Sequence, residues 1–140
     1  MPSTSTFIWL FFKPSGRVGR AVYFLASMLI GVIQMFPIYK AIRELIRLGP
    51  ETFANRSIEE LFQLSPEFEY WWSIAGFLTF VMLWPSIALT VKRLHDIGRS
   101  ALFTVVLFIP IAQLVAFILF CAVPGNPGPN KYGVRADVPQ

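Results

Sequence analysis

Three apolar stretches without a single Asp, Glu, Lys, Arg or His dominate the chain. Residues 21–39 lie between Arg20 and Lys40, residues 70–91 between Glu69 and Lys92, and residues 100–123 between Arg99 and Pro124-Gly125. At 19, 22 and 24 residues, each as a helix can cross a hydrocarbon layer of about 30 Å at about 1.5 Å per residue. Lipid offers backbone groups no hydrogen-bond partner, so such stretches must satisfy themselves as helices. The pattern predicts an all-α integral membrane protein with three transmembrane helices, forming a single membrane domain over residues 1–140. A polar loop, 40–69, separates the first two spans, and a Pro/Gly-rich tail, 124–140, follows the third.

The flanks refine this layout. Phe7-Ile8-Trp9-Leu10-Phe11-Phe12 is too short to cross, and predicts a short amphipathic segment, lying at the membrane interface or packed on the bundle. After the first span, Ile42, Leu45 and Ile46 keep helical spacing, which extends that helix until Gly49-Pro50 stops it. Ser57 followed by Glu60 reads as a capping box opening a short helix that ends near Ser65-Pro66. Tyr70, Trp71 and Trp72 open the second span as an aromatic belt. Pro85 and Pro110 each remove a backbone donor, and predict kinks in spans two and three.

Composition agrees with the pattern: 55% of residues are hydrophobic and 14% charged, with a mean hydropathy of +0.59. Soluble and disordered chains are both excluded on these grounds. The formal net charge of +4 raises nucleic acid as a partner. The basic residues, however, flank apolar runs instead of forming one stripe, so no nucleic acid is expected. Cys121 is the only cysteine, which leaves no intrachain disulfide. The first apolar run starts late, is long and lacks a small-residue cleavage site, so it reads as a span and not a signal peptide.

With three spans, Lys13, Arg17, Arg20, Lys92, Arg93 and Arg99 share one side, while Lys40, Arg43, Arg47, Arg56, Lys131 and Arg135 share the other. The counts tie. Short, dense basic clusters weigh most in the positive-inside rule, which places the N-terminus in the cytoplasm and the acidic loop outside.

Three polar clusters carry what chemistry there is: Gly16-Arg17-Val18-Gly19-Arg20, then Lys92-Arg93-Leu94-His95-Asp96-Ile97-Gly98-Arg99-Ser100, then Gly125-Asn126-Pro127-Gly128-Pro129-Asn130-Lys131-Tyr132-Gly133. In this order they resemble the domain-of-unknown-function 805 family of small bacterial inner-membrane proteins, from about Phe11 to Gly133. The chain departs from that pattern at Lys92, where the family usually has arginine, and at Ala101-Leu102-Phe103, where it usually has Gly-Trp-Trp. The resemblance implies a multi-pass protein of the bacterial inner (plasma) membrane. It implies no activity.

In the central cluster, a helix continuing to Ile97 makes Gly98 a left-handed cap and lets Ser100 cap the next helix. Asp96 can pair with Lys92 or Arg93 within its own helix, or across to Arg17 or Arg20. Arg17, Arg20, Lys92, Arg93, His95, Asp96 and Arg99 thus form a candidate polar cluster for lipid headgroups, and Gly128, Asn130 and Gly133 a candidate tail turn. Adjacent residues on a helix diverge by about 100°, so His95 and Asp96 cannot act as a base and its orienter. One histidine and one distant cysteine make no metal cluster, and no nucleophile elbow or phosphate loop is present. The expectation is a non-enzymatic module without cofactor or metal, associated with membrane lipids, with anionic headgroups as candidates, and open to homo-oligomers or a membrane-protein partner. The alternative is a small oligomeric transporter or channel.

Overall fold

The structure is a computed structural model that describes residues 4–139; Gln140, the end of the tail, lies outside the described residues. Six α-helices and one 3-10 helix account for the fold, and no strand occurs among the described residues. They are α1 (Thr4–Phe12), α2 (Arg20–Leu48), α3 (Pro50–Ala54), α4 (Ile58–Leu64), α5 (Pro66–Asp96), a 3-10 helix (Ala101–Phe108) and α6 (Pro110–Ala122). The chain falls into two compact units: the residues up to Leu29 together with those from Leu83 onward, and Ile30–Met82.

Helices α2 and α5 contain the first two apolar stretches. With 29 and 31 residues, they are about 43 and 46 Å long at about 1.5 Å per residue, more than a bilayer core needs. Of their most apolar 18-residue windows, only 22% and 33% is buried. A helix from a soluble core would be mostly buried, whereas here Leu25, Val32, Phe77 and Phe80 stand more than 60% exposed. Contiguous apolar exteriors of this kind belong in lipid.

In the Ile30–Met82 unit, α2 runs as expected to Leu48, where Gly49 takes φ 87°. Ser57 caps α4, accepting from Glu60 N at 3.3 Å. Two features were not foreseen. A one-turn helix, α3, fills the gap after Gly49, and α5 begins at Pro66, a full turn before the aromatic belt. Ser65 makes that early start possible, because its Oγ accepts from Phe68 N at 3.2 Å and donates to Glu44 Oε1 at 3.0 Å. The Arg47 guanidinium bonded to Glu44 holds that carboxyl below the ordinary carboxylate range. Ala41, Leu61 and Phe68 form a small core under Leu45, Phe62 and Trp71, so the polar loop is helical and packed.

The other unit departs from the single kinked helix expected over residues 100–123. Residues 100–123 are not one kinked α-helix: eight residues of 3-10 helix end at Ile109, and α6 starts afresh at Pro110. Proline disfavours helical backbone in the residue before it, and Ile109 is accordingly extended (φ −112°, ψ 107°). Pro110 then occupies the first turn of α6, where its missing N–H costs nothing. The stretch also returns to where it began. It leaves the end of α5 at Gly98, and Asn126 N, just past α6, donates back to Asp96 O at 2.8 Å. The two ends of the stretch thus lie together. The tail, expected opposite Arg17, therefore lies beside it.

Candidate functional site

The polar centre is built on the last turns of α5. Asp96 lies three positions after Arg93, which puts the two on one face of the helix, while Lys92 is turned about 100° from Arg93 toward a different neighbour. Lys92, Arg93 and Asp96 are all buried, at 0%, 0% and 3% exposure, and Arg17 joins them at 1%. Asp96 Oδ1 accepts from Arg17 Nε at 3.2 Å and Nη2 at 3.0 Å, and its Oδ2 accepts from Arg93 Nη1. Arg17 Nη1 donates to the carbonyls of Gly128 (2.7 Å) and Gly133 (3.2 Å), and Nη2 also to that of Asn126. A guanidinium has five N–H groups, and these contacts engage every one.

One carboxylate does not balance three buried cations. Helix ends offset part of the rest, since the unpaired carbonyls of a C-terminus carry about half a negative charge, and tail carbonyls take the remaining Arg17 donors. Lys92 Nζ donates to Trp9 O at 2.6 Å and to Leu10 O, in the last turn of α1, and sits 4.5 Å from the Trp9 ring centre. Arg93 Nε donates to Phe120 O at 2.7 Å and Nη2 to Val123 O, at the end of α6. Each cation of the motif thus closes a different segment onto α5: Lys92 takes α1, Arg93 takes α6 and Arg17 takes the tail. Trp84 Nε1 adds a bond to Phe12 O at 3.0 Å. On α1 itself, Trp9 and Phe11 are buried while Phe7, Ile8 and Phe12 remain exposed, so the segment packs on the bundle through one face.

The turn after α5 is as the glycine spacing implies. Gly98 has φ 73°, Gly98 N bonds His95 O at 3.1 Å, and Arg99 N bonds Leu94 O at 2.8 Å, the paired closure of a Schellman cap. Ser100 Oγ then accepts from Leu102 N at 3.3 Å.

Further tail contacts complete the centre. Asn130 Nδ2 donates to His95 O at 2.9 Å, and Asn130 and Gly133 exchange two backbone bonds across a tight turn. The Tyr132 ring stacks on His95 at 3.8 Å with planes 6° apart. His95 Nδ1 lies 3.2 Å from Gly16 O; a carbonyl only accepts, so this nitrogen carries the proton. Burial holds the imidazole below its ordinary value. Asp137 bonds Gly19 N at 2.7 Å through Oδ1, and its own N–H reaches Arg17 O at 2.9 Å.

Of the sequence candidates, the fold brings together Arg17, Lys92, Arg93, His95, Asp96, Gly128, Asn130 and Gly133. Arg20 and Arg99 stay exposed and outside the cluster, so Asp96 pairs with Arg17 and Arg93, and not with Arg20 or Lys92. Sequence reasoning missed Trp9, Asn126 and Asp137. A signal for Asp137 existed: it and Asp96 are the only acids outside residues 40–69. It missed Gly125 as well, where an added Cβ would lie 1.9 Å from Asp96 Oδ2. The arrangement is suited to clamping segments together; its donors point at carbonyls and one shared carboxylate.

Comparison with known proteins finds relatives over part of the chain. Over 50 residues the chain is 42% identical to the Inner membrane protein YhaI of Escherichia coli, a match covering 35% of this chain and 42% of that protein. Over 61 residues it is 36% identical to the Inner membrane protein YhaH of the same organism, covering 44% of this chain and 48% of that one. The matches thus span less than half the length of these relatives. No solved structure matches. The profile of a protein family of unknown function, DUF805, matches residues 11–134, and the chain belongs to that family.

Proposed function

We propose that this protein is a non-enzymatic module of the bacterial inner membrane, held by two crossing helices, that presents a basic cytoplasmic face to anionic headgroups. The observation carrying the reading is the closed Arg17–Asp96–Arg93 cluster. Its charges are taken up by one carboxylate and by backbone carbonyls, so it serves to build a face and leaves no acid or base poised for catalysis. Lys13, Arg20, Arg99 and Lys131 remain exposed around it.

Helices α2 and α5 are the two crossings, and residues 100–123 form a re-entrant hairpin that enters and returns. This layout strengthens the orientation argument. With the tail on the N-terminal side, that side holds eight basic residues (Lys13, Arg17, Arg20, Lys92, Arg93, Arg99, Lys131, Arg135) against four in residues 40–69 (Lys40, Arg43, Arg47, Arg56). The tie between faces disappears, and the positive-inside rule puts both termini in the cytoplasm.

The test is reconstitution of the full chain into nanodiscs of mixed phosphatidylglycerol and phosphatidylcholine. Phosphatidylglycerol is expected to be enriched around the protein, and less so once Lys13, Arg20, Arg99 and Lys131 are changed to glutamine. No enrichment, together with solute flux through liposomes carrying a fixed oligomer, would replace this reading with a transporter.

A further inference from the structure

A groove of about 450 Å³ runs between the 3-10 helix and α6, within the size range of small-molecule sites. Leu94, Ile97, Phe103, Val106, Leu119 and Phe120 line it, and Arg99 is its single charged wall residue. Ala116, 7% exposed, also contributes to it. Outside the groove the same two segments present Leu102 at 83%, Leu114 at 66% and Ile118 at 65% exposure.

We propose that this groove binds one acyl chain of an anionic phospholipid, with the lipid phosphate on the Arg99 guanidinium. The proposal rests on the headgroup reading above and names one site for it.

Charge complementarity selects the occupant. An apolar channel with one cation at its margin matches an amphiphile with one anionic head. Arg99 is available for it: the ion pairs among the described residues are Arg17–Asp96, Arg93–Asp96 and Glu44–Arg47. Its position is fixed by the Schellman closure, which bonds Arg99 N to Leu94 O. The planar guanidinium fork matches two phosphate oxygens at once. The hairpin begins at Arg99, and beside the groove its outer faces expose Leu102, Leu114 and Ile118, so an acyl chain in the groove would lie among hydrocarbon with Arg99 at the polar turn.

Native mass spectrometry of the full chain, titrated with phosphatidylglycerol and with phosphatidylcholine of the same acyl chains, tests this. The wild type is expected to retain one phosphatidylglycerol in preference to phosphatidylcholine. Arg99→Gln should weaken that retention roughly tenfold, the scale of one lost charge-assisted contact, and Arg99→Lys should recover part of it. Ala116→Phe fills the groove and should remove the bound lipid of either headgroup. Arg99→Gln changes an exposed side chain, so it remains informative if Ala116→Phe does not fold. Should Arg99→Gln and folded Ala116→Phe retain lipid like the wild type, while a Lys13→Gln, Arg20→Gln variant loses it, the groove is overturned and the headgroup reading stands. Absence of any phosphatidylglycerol preference in the wild type overturns both.

Discussion

Arg17 and Asp96 meet at 3.0 Å across 79 positions of sequence, with side chains only 2% and 4% exposed. The pair joins the segment before α2 to the end of α5, and Asp96 shares its second oxygen with Arg93. Removing one member of a buried ion pair leaves an uncompensated charge and costs about 3–5 kcal/mol. Asp96→Asn should therefore lower unfolding stability in detergent by about that much, with Arg17→Gln close behind. Because they act on one contact, the double variant should be less destabilised than the sum.

Exchanging the charges gives a sharper test. Arg17→Asp with Asp96→Arg restores an opposite pair in isolation, but places the new arginine against Arg93. The exchange is expected not to rescue stability beyond the Asp96→Asn variant. Full rescue by this measure would mean that Arg93 does not share the carboxylate.

Gly125 and Gly128 should separate in effect although both lie in the tail. A Cβ at Gly125 would sit 1.9 Å from Asp96 Oδ2, whereas nothing lies within 4 Å of one at Gly128. Gly125→Ala should release the tail and speed its cleavage by protease. Gly128→Ala should leave the cleavage rate unchanged.

His95 predicts a pH dependence. Burial lowers its folded-state value below the ordinary 6.5, so the unfolded chain binds its proton first as pH falls. The contribution is present above about pH 6.5 and is lost as pH drops through the folded value. The melting temperature should fall over this interval in the wild type, and His95→Gln should flatten the slope.

Much of the fold was legible because its determinants are local. Apolar run length gave α2 and α5, Gly49-Pro50 gave the stop of α2, Ser57 and Glu60 gave α4, and Gly98 gave the cap of α5. The break in the third stretch was not legible from composition, which reports that a segment suits lipid and says nothing of where its backbone changes course. The signal lay in Pro110, whose effect on Ile109 turned a kink into a break. The candidate site was legible as residues but not as partners. Most of what the cations touch is backbone carbonyl, at Trp9, Phe120, Asn126 and Gly128, and side-chain identity does not encode that.

A re-entrant hairpin requires the tail to lie on the same side as Arg17. In a Cys121→Ser background, single cysteines at Lys13, Glu59 and Arg135 can be treated with a membrane-impermeant maleimide in spheroplasts. The expected result is labelling of position 59 in intact spheroplasts, and of positions 13 and 135 only after permeabilisation. Labelling of 135 in intact spheroplasts while 13 stays protected would contradict the re-entrant hairpin and return residues 100–123 to a third crossing.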